Sequence, residues 1–386
     1  MKPKLPPQIA AVLLLSFIIL HPSGLNAQGM LSPPGAPAPT MKTLSQVEPR
    51  TPIASAPFTI SAPGSYYLTT NVTVSSGNAI TINANNVTLD LNGFAISSTE
   101  SPASTSSGIL LNGVMNITIV NGLITSGVTN NGSGTYSGNG FGSGVYFSGP
   151  NPVNTRVSGI SVSGCRYNGI YLTFNDTHVE SCAVRTVGSY GITAGSVFDS
   201  MAQDCGADAV SANSSVNTCF GTSSGGGSGI NCSGTADSCR GESASGTGVS
   251  ASVANNCYGV AGAGSGDGVS ASEASNCHGE SSGSGNGVNA YIANNCGGSA
   301  SGTGNGLSAT SAIHCAGVTS GGGDGILATY NAIGCYGYST GGTGLSAYNA
   351  AFCTGSASGR AIQATLANGC IASGGTNLIT FKYNMP

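Results

Sequence analysis

Residues 253–272 read VANNCYGVAGAGSGDGVSAS, and residues 273–291 read EASNCHGESSGSGNGVNAY. Both carry a cysteine, then a glycine-rich run, then a Gly-Val step, at nearly the same offsets. The apolar member of that step recurs as Ile170, Ile192, Val210, Ile230, Val249, Val269, Val288, Leu307, Ile326, Leu345 and Ile362. Successive members lie about nineteen positions apart, and self-similarity at such a period predicts a stack of repeats rather than separate domains.

Other columns keep step with it. Alanines follow two positions later (Ala251, Ala271, Ala290, Ala309), and a second set precedes each cysteine by three (Ala254, Ala274, Ala293, Ala312). The step of two from Val249 to Ala251 is strand alternation, which sends both side chains to one face. The step of three from Ala254 to Cys257 breaks it, and a bend at Asn255 and Asn256 would return both flanks to the interior, since Asn tolerates left-handed backbone. Glycine content and the lack of a 3.6-residue period exclude helix. The expected fold is an all-β, single-stranded parallel β-helix with about 19–20 residues per regular rung and two or three short strands in each. Roughly a dozen rungs about 4.8 Å apart give a rod of roughly 60 Å.

Composition bounds the function. The 386 residues include 62 Gly, 10 Lys and Arg, 14 Asp and Glu, and no Trp, yet 39% are hydrophobic. Such glycine-rich chains are often disordered, but this hydrophobic share supports a buried core. Lys2 and Lys4, the apolar run Ile9 to Leu20 and the small residue Ala27 describe a secretory signal peptide over 1–27. Its apolar run falls short of the roughly 20 residues needed to span a bilayer. Its removal takes away two lysines and leaves 8 basic against 14 acidic residues, a formal charge of −6. That excludes the basic footprint of a nucleic-acid binder. No membrane span is expected after signal removal, and the expected location is extracellular or the cell surface.

The segment before the regular repeats reads MKTLSQVEPRTPI, PGSYYLTTNVTV, ITINANNVTLDLNGFAIS and GILLNGVMNITIVNGLITS between Met41 and Ser126. These phrases resemble the opening of secreted bacterial right-handed parallel β-helix repeat proteins, whose fold is that of pectate lyases. VTLDLNGF (Val87 to Phe94) is also similar to the opening rungs of alginate epimerase-like and NosD-like β-helices. The resemblance runs through nearly the whole mature chain to the final KYNMP. It implies right-handedness and a bacterial source, and no activity to carry over, because most members of this group have none assigned.

The remaining segments are then expected as follows: 28–56 a Pro-rich linker, 57–126 an N-terminal cap and first rungs, 127–143 a Gly/Ser/Asn-rich loop, 144–376 regular rungs, and 377–386 a C-terminal capping strand. Twelve of the thirteen cysteines recur about once per rung, with Cys232 at an alanine position instead. Parallel stacked side chains keep Cβ atoms near the rung spacing, longer than a disulfide prefers, so these are expected as buried thiols acting as small hydrophobes. Metal binding by cysteine would need convergent spacing such as Cys-x-x-Cys, which the chain lacks. No cofactor is implied. Calcium at the Asp267 and Asp324 turns stays an open alternative, because these turns are similar to those of the calcium-binding RTX roll, although their Gly-to-Asp spacing differs.

Two sets of side chains could carry function. Asp176, His178, Glu180, Asp204, Arg166 and Arg185 supply the densest charge, and could serve as acid, base or ligand to an acidic sugar in a polysaccharide lyase, hydrolase or epimerase. The favoured alternative is that the irregular early rungs carry the chain's few charges for solubility. The residue after each inward cysteine should point outward, giving Arg166, Phe220, Arg240, Tyr258, His278 and Tyr336 as an aromatic and basic stripe that could stack sugar rings. The favoured expectation is a non-catalytic structural or binding protein, facing a polysaccharide or cell-surface glycan, with the enzyme as the alternative.

Overall fold

The computed structural model describes residues 48–149 and 152–385; the expected signal peptide and most of the linker lie outside them. The chain forms a parallel β-solenoid of about 17 turns. No helix occurs among the described residues, and hence none long and apolar enough to cross a membrane. The first strand, Thr51–Ile53, falls inside the stretch assigned to the linker and pairs in parallel with Gly64–Leu68. More turns exist than the regular period reveals, because the first rungs are long and uneven. Phe58, Ile80, Ile109, Val145 and Ile170 continue the apolar column there, each in register with the next.

Three columns of strands build the early rungs. The first holds Phe58–Ile60, Ile80–Ile82, Ser107–Asn112, Ser143–Ser148 and Ile170–Tyr171. The second passes through Gly64–Leu68 and Val87–Asp90 to Thr177–Glu180, and the third through Val72–Val74 and Ala95–Ser98 to Ala183–Val187 and Met201–Cys205. Left-handed residues Asn86, Asn116, Asn154 and Asp176 turn the first corner. That corner vanishes at Ile192–Phe198, where the first two columns fuse into one strand with a register shift between Ala194 and Ser196. The corner before the third column persists. It is held by Ser181, Asp199, Thr218, Ser238, Asn256, Asn276, Asn295, His314 and Phe352, all with positive φ. Asn256 alone makes the bend, because the strand Val249–Asn255 runs through its neighbour.

Glycine explains the flatness of the later rungs. A Cβ on Gly279 would stand 1.9 Å from the carbonyl oxygen of Gly287, and one on Gly268 would stand 2.3 Å from the amide of Glu280. The glycine before each apolar residue and the one after each outward residue therefore let two walls of backbone meet with no side chain between them. Where the walls part, Val269, Ala274 and Cys277 fill the thin interior, whereas Ile, Leu and Phe141 fill the wider early rungs.

All thirteen cysteines are buried, unpaired thiols. Cys182 and the nine cysteines from Cys219 to Cys370 that exclude Cys232 share one column, and Ser200 takes a place in it. Cys165 and Cys205 do not belong to it. They end their strands, in register with Val187, Ser223 and Ser243. Cys232 stands between Ala212 and Ala251, at the alanine position. In the column proper, Cys257 Sγ lies 3.1 Å from the carbonyl oxygen of Asn255, and Ser200 Oγ donates to that of Phe198 at 2.7 Å. The left-handed corner turns this carbonyl toward the side chain, so the column selects a small residue that can donate.

The segment 127–143 is a hairpin of Gly127–Asn130 and Tyr136–Asn139 in antiparallel register, running into the strand Ser143–Ser148. At the C-terminus, Ile371–Tyr383 adds a final rung paired with Thr354–Asn368. Ile379 and Met385 pack against the end of the core, while Ile371, Leu378, Phe381 and Tyr383 are exposed.

Candidate functional site

The third column presents two rows of outward side chains, one and three positions after the column cysteine. The first row runs Met201, Phe220, Arg240, Tyr258, His278, Gly297, Ala316 and Tyr336. The second includes Thr222, Glu242, Val260, Glu280 and Ser299. Arg166 is absent from this stripe because Cys165 is not a column cysteine. Met201, behind Ser200, takes a place that a search for cysteines passes over.

Within the first row the rings are packed on one another. The Arg240 guanidinium lies 5.7 Å from the Phe220 ring centre and 5.1 Å from that of Tyr258. Tyr258 and His278 stack with centroids 5.5 Å apart and planes 8° from parallel. A Cβ on Gly297 would stand 2.8 Å from His278 Nδ1, so the imidazole leans over that glycine. Tyr336 is cut off from the stack by Gly297 and Ala316.

Carboxylates of the second row lock the first. Arg240 Nε donates to Glu242 Oε1 at 2.7 Å. Tyr258 Oη donates to Glu280 Oε1 at 2.8 Å, and His278 Nε2 lies 3.3 Å from the same oxygen. The hydrogen bond to Glu280, followed by partial burial, raises the Tyr258 phenol above its usual range. Exposed ion pairs of this kind contribute only about 0–1 kcal/mol, so their effect is on orientation more than on stability. Glu242 and Glu280 flank Val260 at a separation of two rungs, roughly 10 Å, beside a recess of about 480 Å³ that Ser243, Ser281 and Ser301 also line. With a whole rung between them in the chain, the two glutamates form no short acidic motif. Reading the third residue after Cys239 and Cys277 as a column finds them.

The charged residues of 156–208 occupy different parts of the rod. Asp176 is a corner residue with φ 37°, and its Oδ2 accepts the Asn154 amide. The left-handed turn breaks the alternation that would have placed it beside His178 and Glu180. Those two do share an outer face, with Nε2 and Oε2 3.7 Å apart and the imidazole stacked on Phe198. Arg185 and Asp204 lie around the Ser181 corner on the third column, where they line a shallow depression of about 420 Å³. Arg185 donates to Gln203. Burial works against ionisation of Asp204, but hydrogen bonds from Asn130, Ser224, Thr186 and Tyr136 outweigh it and hold the carboxyl below its usual range. Asp204 thereby anchors the hairpin. Arg166 donates to the carbonyl of Ala103 at 2.8 Å and lies over Tyr167.

The turn aspartates are likewise occupied. Asp267 Oδ1 accepts the Asn286 amide, and Asp324 Oδ1 accepts that of Thr343, each one rung on. Among the described residues, no group of three or more His, Cys, Asp or Glu is arranged to hold a metal ion. Comparison of the chain with family models, curated proteins and solved structures returns no match.

Proposed function

We propose that this protein is an exported, non-catalytic β-helix that binds carbohydrate on the face built by Arg240, Glu242, Tyr258, Val260, His278 and Glu280. The observation that carries this reading is the pre-arranged set of Arg240, Tyr258 and His278, fixed by Glu242 and Glu280 beside the serine-lined recess. Carboxylates and a guanidinium are strong partners for sugar hydroxyls, and Val260 with the ring edges offers apolar contact. Side chains locked before binding lose little freedom when a ligand arrives.

The charge of the face selects the ligand class. Two carboxylates border the recess and Arg240 is paired with one of them, so neutral or amino sugars fit it and a polyuronate is repelled. A lyase acting on acidic sugar needs basic groups available to its substrate, whereas Arg240 and His278 on this face each lie against a glutamate. The test is a glycan array run beside reducing-end and unsaturated-uronate assays. Binding of neutral or amino glycans without turnover is expected. Turnover, or binding unchanged by Tyr258→Ala, defeats the reading.

A further inference from the structure

A second recess lies on the first column, on rungs far from Tyr258. Tyr146 and Tyr171 occupy the same outward position on adjacent rungs, with ring centroids 5.6 Å apart and planes at 19°. Tyr190 continues the series at 6.1 Å. Tyr171 covers one face of Tyr146. The other face is turned to the preceding rung, where Leu110 is its register partner, and there it borders a recess of about 450 Å³ with Asn78, Ser104, Thr105 and Ser148.

The opposite wall is a loop held at several points. Arg166 donates to the carbonyl of Ala103, whose own amide donates to Gly138 of the hairpin. The Gly140 amide donates to the Glu100 carbonyl. Ser106 Oγ donates to Glu100 Oε2 at 2.6 Å, and this bond holds the Glu100 carboxyl below its usual range against the effect of burial. The Ser107 amide donates to Asn78 Oδ1 at 2.8 Å. Arg166, which the sequence offers as a catalytic group, instead positions this wall.

The chemistry of the recess is uniform. One aromatic face and one leucine supply an apolar surface, hydroxyls and an amide surround it, and no charged side chain lines it. Its volume falls within the roughly 300–1,000 Å³ of small-ligand sites. A pyranose has this pattern in complement, with an apolar C–H face and a rim of hydroxyls. We propose that the Tyr146 recess is a second carbohydrate site, for a neutral sugar ring stacked on Tyr146. It is separate from the Tyr258 face and stands or falls independently of it.

The test is saturation-transfer NMR on the full chain with cellohexaose, mannohexaose and chitohexaose as probes, and adenosine as a planar non-sugar control. At least one hexaose should still receive saturation in a Tyr258→Ala background, which silences the other face, with the remaining affinity lowered roughly tenfold or more when Tyr146→Ala or Ser148→Arg is added. Ser148 is exposed, so its variant blocks the rim without entering the core and keeps the test valid if Tyr146→Ala misfolds. No hexaose binding, binding that both recess variants leave intact, or adenosine in place of the sugars overturns the proposal. Loss of binding in Tyr258→Ala alone overturns this site and leaves the other standing.

Discussion

The Tyr258 hydroxyl donates to Glu280 Oε1 at 2.8 Å, and His278, the register partner of Tyr258 on the next rung, lies flat against the Tyr258 ring. One carboxylate thus orients two rings. Tyr258→Phe keeps the stack and removes the hydrogen bond, worth about 0.5–1.5 kcal/mol, so glycan affinity should fall a few-fold by calorimetry. Tyr258→Ala should cost roughly tenfold or more. Neither should move the melting temperature by more than about 2 °C, since the site is on the surface. Because the folded pKa is raised, the phenol keeps its proton through the usual value of about 10. The contribution of this bond is present below that pH and is lost as pH rises through the folded value.

The thiols predict a steep alkaline transition. Burial pushes Cys165 up to about 12, and Cys182 and Cys219 up to about 11. With folded values above the ordinary value of about 8.5, their contribution is complete below that pH and is lost toward pH 11. Once the unfolded thiol has ionised, each removes about 1.4 kcal/mol per pH unit, so the slope steepens from pH 8 and these three together reach about 4 kcal/mol per unit near pH 10. Denaturant titrations at pH 8, 9 and 10 should show this slope. Flat stability across the window would contradict the buried assignment, as would rapid labelling of the folded protein by a thiol-reactive disulfide.

What can be read from sequence depends on the period. Columns that repeat once per regular rung, such as Val249 with Val269 and Cys257 with Cys277, fall into register at once. Tyr146 and Tyr171 stay hidden because the rungs that join Leu110 to Tyr146 and Tyr146 to Tyr171 differ in length from each other and from the regular repeat. Glu242 and Glu280 escape for the opposite reason: they are regular, but two periods apart. Local rules misplace Asp176 and Arg166. A left-handed residue ends the alternation at the first, and a cysteine outside the main column precedes the second.

Asp204 should act as an acid-sensitive clasp on the hairpin. Its lowered pKa contributes stability above the unfolded value of about 3.9, and that contribution is lost as pH falls through the folded value. Asp204→Ala leaves Tyr136 Oη and the Asn130 amide without their shared acceptor, at a cost of about 1–3 kcal/mol. Limited proteolysis should then cut within 130–136 at neutral pH. The parent chain should resist there at neutral pH and become susceptible only below the ordinary carboxylate value of about 3.9, and an uncut variant would show that other contacts hold the hairpin.

Two glycines separate steric demand from chance. Gly279→Ala drives a methyl to 1.9 Å from backbone oxygen on the facing wall, and rigid overpacking of this kind costs about 1–3 kcal/mol or more. Gly322→Ala meets nothing within 4 Å and should be neutral or stabilise by up to about 1 kcal/mol. Equal effects in chemical denaturation would mean that the walls are not in backbone contact.

Register also predicts which deletions the rod survives. Leu307 pairs with Ile326, and each follows a glycine, so removing residues 307–325 joins Gly306 to Ile326 and brings every later column down by one rung. In a solenoid, stability is a sum of local rungs and their interfaces, so this variant should keep its far-UV spectrum, glycan binding and twelve protected thiols, Cys315 having gone with the rung. Removing residues 307–315 deletes the same cysteine but leaves Ala316 to follow Gly306, half a turn out of phase. Cys335, Cys353 and Cys370 should then label in the absence of denaturant, while the rungs through Cys296 stay protected. Equal protection in the two deletions would show that the columns do not set the register.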